Sequence, residues 1–141
     1  MREKERVKGI GEAGEAEVSR ILRSLGCSVR RADRTVKLPN GEWSFLEVKN
    51  KEPFKPPPYY GQGIELYEYE MYMEIFQRFG MRCVLVVRGK RNEWLAQFLD
   101  KLGGVKKYFK GGVQPGFSQF FNLDQFVPLR SFLSSVTRSS D

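Results

Sequence analysis

Trp43-Ser44-Phe45-Leu46-Glu47-Val48-Lys49 decides how this chain reads. It is an apolar, strand-like run that ends in two charges, where an ordinary strand would go on burying hydrocarbon. Side chains alternate across a strand, so Glu47 and Lys49 share one face and Val48 takes the other. A carboxylate and an ammonium at the end of a core strand are costly unless they pair, or unless they hold a metal and a reacting group. A plain ion pair at a sheet edge also accounts for the triplet, so its weight depends on what surrounds it.

Thr35–Leu38 and Trp43–Lys49 read as the arms of a hairpin around Pro39-Asn40-Gly41. These three residues suit a type I turn followed by a left-handed glycine. That loop pairs Leu38 with Glu42, and counting back along both arms sets Asp33 opposite Glu47. Directly opposed residues share a sheet face with Cβ atoms roughly 4.5–5.5 Å apart. Two carboxylates that close repel each other unless a cation lies between them, and magnesium fits there. A two-residue turn would slip the register and put the two acids on opposite faces.

Residues 9–25 read as a helix, with Val18, Ile21, Leu22 and Leu25 at helical spacing and Gly26 as the stop. Glu15 lies about 70° from the centre of that apolar stripe, nearer than Glu17 or Glu12, and so is the acid best placed to face the sheet. A solvated glutamate near a helix start, favoured by the macrodipole, is the competing account.

The remaining pattern is strand at Cys27–Arg31, a Pro-rich loop at 50–63, helix at 64–79 and a buried strand at Arg82–Arg88. A helix is expected at Asn92–Leu102, a Gly-rich basic segment at 103–117 and a short closing helix at Phe126–Val136. Helix, strand, hairpin, helix, strand is an α/β order. At 141 residues and 40% hydrophobic content, one domain with a sizeable core is expected. No run approaches the roughly 20 apolar residues of a membrane helix, and no signal peptide is seen, so an intracellular protein is expected.

The chain has no histidine. That excludes Ser-His triads and histidine-ligated metals, and leaves Asp and Glu oxygens, which suit magnesium or manganese. Cys27 and Cys83 lack metal-ligand spacing and read as buried free thiols. The net charge of +7 is uneven: residues 61–80 carry 1 Lys/Arg against 4 Asp/Glu, and residues 81–141 carry 10 against 4. A basic surface of this kind suits a nucleic-acid partner, or simply keeps the protein in solution.

Together, Gly14-Glu15-Ala16-Glu17, Asp33 and Leu46-Glu47-Val48-Lys49 resemble the PD-(D/E)xK nuclease superfamily. The likeness is nearest to the archaeal-type Holliday-junction resolvases, and the segment from Phe76 to Val87 is similar to their following helix end and strand. It spans about residues 8–90. Ala32 stands where the family usually has proline, and Arg34-Thr35 where it has an apolar pair.

The resemblance implies a restriction-endonuclease-like α/β core, a central mixed sheet flanked by helices, within a single nuclease domain at 1–141. It implies a metal-dependent endonuclease using Glu15, Asp33, Glu47 and Lys49. Mg2+ or Mn2+ would sit on Asp33, Glu47, Glu15 and the Val48 backbone carbonyl. The protein would act as a homodimer on branched DNA, resolving four-way junctions. A restriction or repair nuclease, or a silent nucleic-acid-binding module, remains an alternative on the same core.

Arg30, Arg31 and Arg34 beside Asp33, and Lys51 and Lys55 in the loop, are candidate phosphate contacts; solvated charges are the alternative. Tyr59 and Tyr60 are candidates to stack on unpaired bases, or else to pack on the core. Gln62 is a further candidate at the site. Lys106, Lys107 and Lys110 extend the basic surface.

Overall fold

The structure, a computed structural model, describes residues 3–109 and 116–138. Lys110 and the middle of the Gly-rich segment lie outside the described residues. Helix α1 (Glu3–Ser24) begins earlier than its apolar stripe and ends before Gly26, which takes φ +92°. Strands β1 (Ser28–Arg30), β2 (Thr35–Lys37) and β3 (Trp43–Lys49) follow as an antiparallel meander. The β2–β3 register pairs Thr35 with Phe45 and Lys37 with Trp43, as the three-residue loop predicts. Leu38 N–H donates to Glu42 O and Gly41 takes φ +89°, a conformation that costs other L-residues.

Strand β4 (Gly61–Glu65) and helix α2 (Leu66–Phe79) form the crossover to β5 (Cys83–Arg88), which runs parallel to β3. A parallel pair needs such a connection. Gly80 ends α2 in the left-handed conformation, its N–H donating to Phe76 O. Asn92–Leu102 is not a helix. It contains strand β6 (Trp94–Phe98) and a short 3-10 turn at Leu99–Lys101. Trp94, Ala96 and Phe98 are buried while Leu95 and Gln97 are less so, a period of two that the apolar count concealed.

Residues 103–117, read from the sequence by composition alone, are extended at both ends. They supply β7 (Gly104–Phe109) and the start of β8 (Gly116–Asn122), which pair antiparallel. Strand β9 (Val127–Pro128) and helix α3 (Leu129–Arg138) close the chain.

The main sheet has the order β1-β2-β3-β5-β6-β9, and a second sheet the order β4-β8-β7. This is a mixed α/β fold, a central mixed sheet flanked by three helices. Alternation sorts the core into two layers. Leu46, Val48, Val84 and Val86 face α1 and α3 through Val18, Leu22, Phe132 and Leu133. Cys83, Leu85 and Val87 face the other way, toward Tyr72 of α2 and Ile64 and Phe121 of the small sheet. Both cysteines are free and buried, and burial raises their thiol pKa values. Among the described residues no helix is long and apolar enough to cross a membrane.

Candidate active site

Beyond the C-terminal end of β3 a cleft of about 1010 Å³ opens. Crevices at the carboxyl ends of strands are the usual binding places in α/β sheets. Helix α1 supplies Glu12 and Glu15 to its wall, β3 supplies Glu47, Val48 and Lys49, and the segment after β3 supplies Lys51. Tyr67 and Glu68 come from the first turn of α2.

Glu47 is 4% exposed, and its two oxygens have different partners. Tyr72 O–H donates to Oε2 at 2.7 Å, and the Lys49 ammonium stands 3.4 Å from Oε1. Lys49 in turn donates to Glu68 Oε1 at 3.1 Å. The match is geometric. Residues 47 and 49 rise about 6.7 Å along a strand, and residues 68 and 72 about 6 Å along a helix, so two pairs meet across the layers. Burial works to lower the Lys49 pKa, but the charges of Glu47 and Glu68 outweigh it and the net direction is upward. Lys49 is therefore an ammonium, not a base. Burial, then Glu47, pushes the Tyr72 hydroxyl up, so it stays a neutral donor. Neither Glu68 nor Tyr72 stood out in the sequence. The signal was their i,i+4 spacing on the face of α2 that meets β3.

Asp33 is not opposite Glu47. The register carries as far as Arg34, whose carbonyl accepts from Leu46 N–H at 2.7 Å. There the strand ends, because Arg34 adopts φ +53° and residues 31–34 form a turn. Strand alternation does not extend through a left-handed residue. Asp33 is exposed and accepts from Thr35 Oγ1 at 2.8 Å. Arg34, about half exposed, instead reaches the acids, with Nε 3.5 Å from Glu15 Oε1 and Nη1 3.7 Å from Glu47 Oε2. Burial opposes its charge, and Glu47 and Glu15 more than compensate. Glu15 thus does reach the site, linked to Glu47 through this guanidinium.

The donor set suits a hard cation: a buried carboxylate, a second carboxylate on α1, and neither thiolate nor imidazole lining the cleft. Among the described residues, however, no three acids gather as a metal cage, and Asp33 is exposed. Val48 lines the cleft.

The expected nucleic-acid contacts scatter. Arg31 is exposed in the turn, and Lys55 is exposed in the loop. Arg30 stacks over Trp43 with 4.9 Å from guanidinium to ring centroid. Lys51 lies over Phe54. Tyr60 stays partly exposed under Lys90. Tyr59 is committed to packing: it stacks on Phe120 at 5.2 Å and donates to Phe120 O. Gln62 is wholly buried, its Nε2 donating to Lys51 O and Arg88 O. It ties the loop to β5 and presents nothing to a nucleic acid.

The search of protein families found no matching model, and the search of curated proteins found no match. Among solved structures, the Holliday junction resolvase Hjc of Archaeoglobus fulgidus, an archaeal hyperthermophile, superposes with a TM-score of 0.57. The two chains share a fold. The match covers 88% of this chain and 95% of the resolvase at 12% identity. The resolvase-like architecture therefore agrees with the layers described above, and at that identity the likeness is one of fold.

Proposed function

We propose that this chain is a magnesium- or manganese-dependent DNA endonuclease that resolves four-way junctions by paired nicks, working as a homodimer. The observation that carries the reading is Glu47: a buried carboxylate beside Lys49 at the end of the central parallel strand, opening on a cleft. The fold of a junction resolvase supports it.

In this reading Glu47, Glu15 and the Val48 carbonyl would hold the ion. Asp33 would join them only if the turn at residues 31–34 re-aimed. A bound ion of this class lowers the pKa of a water and screens the phosphate. Tyr72 fixes the rotamer of Glu47 through its hydrogen bond. Lys49, kept charged between Glu47 and Glu68, presents an ammonium to charge developing on the scissile phosphate. Exposed Met71 and Phe79 on α2 offer apolar surface for a second copy. The outward Asp33 favours a second reading, a silent DNA-binding module on the same fold.

The test is cleavage of a labelled four-way junction beside matched duplex, flap and single strand, with Mg2+ or Mn2+. Symmetric paired nicks in the junction alone are expected. Equal cutting of duplex overturns the junction specificity, and no cutting of any DNA leaves the binding module.

A further inference from the structure

Aromatic side chains can meet open base faces at a branch point; of the two loop tyrosines, Tyr59 is stacked on Phe120, while Tyr60 is partly exposed under Lys90. We infer that this role belongs to the β7–β8 ribbon: Tyr108 and Phe117 stack on bases exposed where DNA strands branch, and Lys106 meets the flanking phosphate. The inference rests on the DNA-binding reading above.

Four observations carry it. First, Tyr108 and Phe117 are directly paired across the two strands, 49% and 57% exposed, with ring centroids 5.1 Å apart edge to face. Side by side they make a contiguous apolar patch at the outer end of the ribbon, and contiguity is what marks an interaction surface.

Second, the face they share is settled by the register. Lys106 pairs with Gln119 and Tyr108 with Phe117, so these four point the same way. Further along that face Phe121 is covered by Tyr69 of α2. The outer end, Lys106, Tyr108 and Phe117, is exposed. Lys107 points to the other face, where it donates to Pro57 O and lies over Phe120, bracing the ribbon against the Pro-rich loop.

Third, the ribbon stands beside the cleft. Ser118 pairs with Glu65, which lines the cleft wall, and with Lys107. The Tyr108–Phe117 pair is the next step outward, about 3.4 Å along the strands and on the opposite face of the ribbon.

Fourth, the charge is one-sided. From Lys101 to Leu123 the sequence holds four lysines and no acid, whereas α2 and its approach hold Glu65, Glu68, Glu70 and Glu74. A polyanion is the partner this contrast selects, and aromatic faces interleaved with lysines are how proteins grip bases and backbone together.

The test uses the full chain carrying Glu47→Gln, which should bind without cutting. Polarisation of a labelled four-way junction and a matched duplex is measured against salt. Adding Tyr108→Ala or Phe117→Ala should weaken junction binding about tenfold each, with far less effect on duplex. Tyr108→Phe should keep the affinity. Lys106→Gln, on an exposed lysine and safe for the fold, should lower the log–log salt slope by about one.

Junction affinity within about twofold of the parent in folded ribbon variants overturns the inference, as does an unchanged salt slope for Lys106→Gln. Loss of a dimer on light scattering with DNA binding intact also overturns it and assigns the ribbon to a second copy. If the Glu47→Gln parent binds no DNA, the DNA-binding reading itself fails and the inference falls with it.

Discussion

The Arg34 guanidinium lies 3.7 Å from the buried carboxylate of Glu47, and its Nε lies 3.5 Å from Glu15. One side-chain cation thus joins the two acids where the proposed metal would sit. Removing it leaves two carboxylates with less compensation. Arg34→Ala should therefore lower the melting temperature slightly in metal-free buffer, since Arg34 is about half exposed and solvent screens much of the pair. It should also raise the response to Mg2+. A tenfold gain in affinity adds about 1.4 kcal/mol at saturation. Thermal melts across an MgCl2 titration check this, and equal Mg2+-induced shifts for both proteins would defeat it.

Glu47→Gln keeps the shape of the side chain and the Tyr72 contact but removes the charge. Cleavage should fall by orders of magnitude while junction binding survives. Asp33→Asn tests a different point. If the turn re-aims in the loaded enzyme, this exposed residue also abolishes cutting; near-normal rates would show that Glu15, Glu47 and Val48 suffice.

Tyr72→Phe deletes a buried donor to a carboxylate. Hydrogen bonds to charged groups are worth about 1.5–3 kcal/mol, so urea unfolding should show a loss in that range. A change below about 0.5 kcal/mol would mean that the hydroxyl contributes little to holding Glu47.

The pairing of residues across the two layers also predicts a pH effect. Glu68 raises the Lys49 pKa, against the downward pull of burial. Glu68→Gln removes that support, so Lys49 loses its proton at lower pH than in the parent. If the ammonium acts on the phosphate, the alkaline limb of the rate profile moves to lower pH. Initial rates across the alkaline range read this directly, and an unmoved limb would separate Glu68 from the role of Lys49.

The sequence was most legible where a local rule acts alone. Pro39-Asn40-Gly41 set the hairpin register, and alternation put Glu47 and Lys49 on one face. It was least legible where tertiary context overrides pattern. Trp94, Leu95, Phe98, Leu99 and Leu102 satisfy a helical stripe as well as a strand followed by a turn, and the free edge of β5 chose the strand. The glycines in 103–117 masked β7 because a glycine there allows close approach: a Cβ on Gly104 would clash with Phe120 O of β8. Asp33 failed for a narrower reason. Opposition is a property of strands, and the left-handed Arg34 ends the strand one residue too early.

Glu15 depends on how firmly α1 is held, and Gly14 tests that. A Cβ at Gly14 would collide with Asn50 Cβ. Asn50 donates to Ile10 O and accepts from Arg88 Nε, and Arg88 donates to Glu17 Oε2 at 2.8 Å. This network pins α1 to the end of the sheet, with Gly14 as the point of closest approach. Gly14→Ala should thus destabilise by about 1–3 kcal/mol and impair cleavage by shifting Glu15. Gly9 lies in the same helix, and a Cβ there meets nothing within 4 Å. Gly9→Ala should stabilise by roughly 0.5–1 kcal/mol and leave the rate alone. Opposite signs in paired urea melts would confirm that the packing against Asn50, and not helix propensity, sets the glycine at position 14. Two gains in stability would refute it.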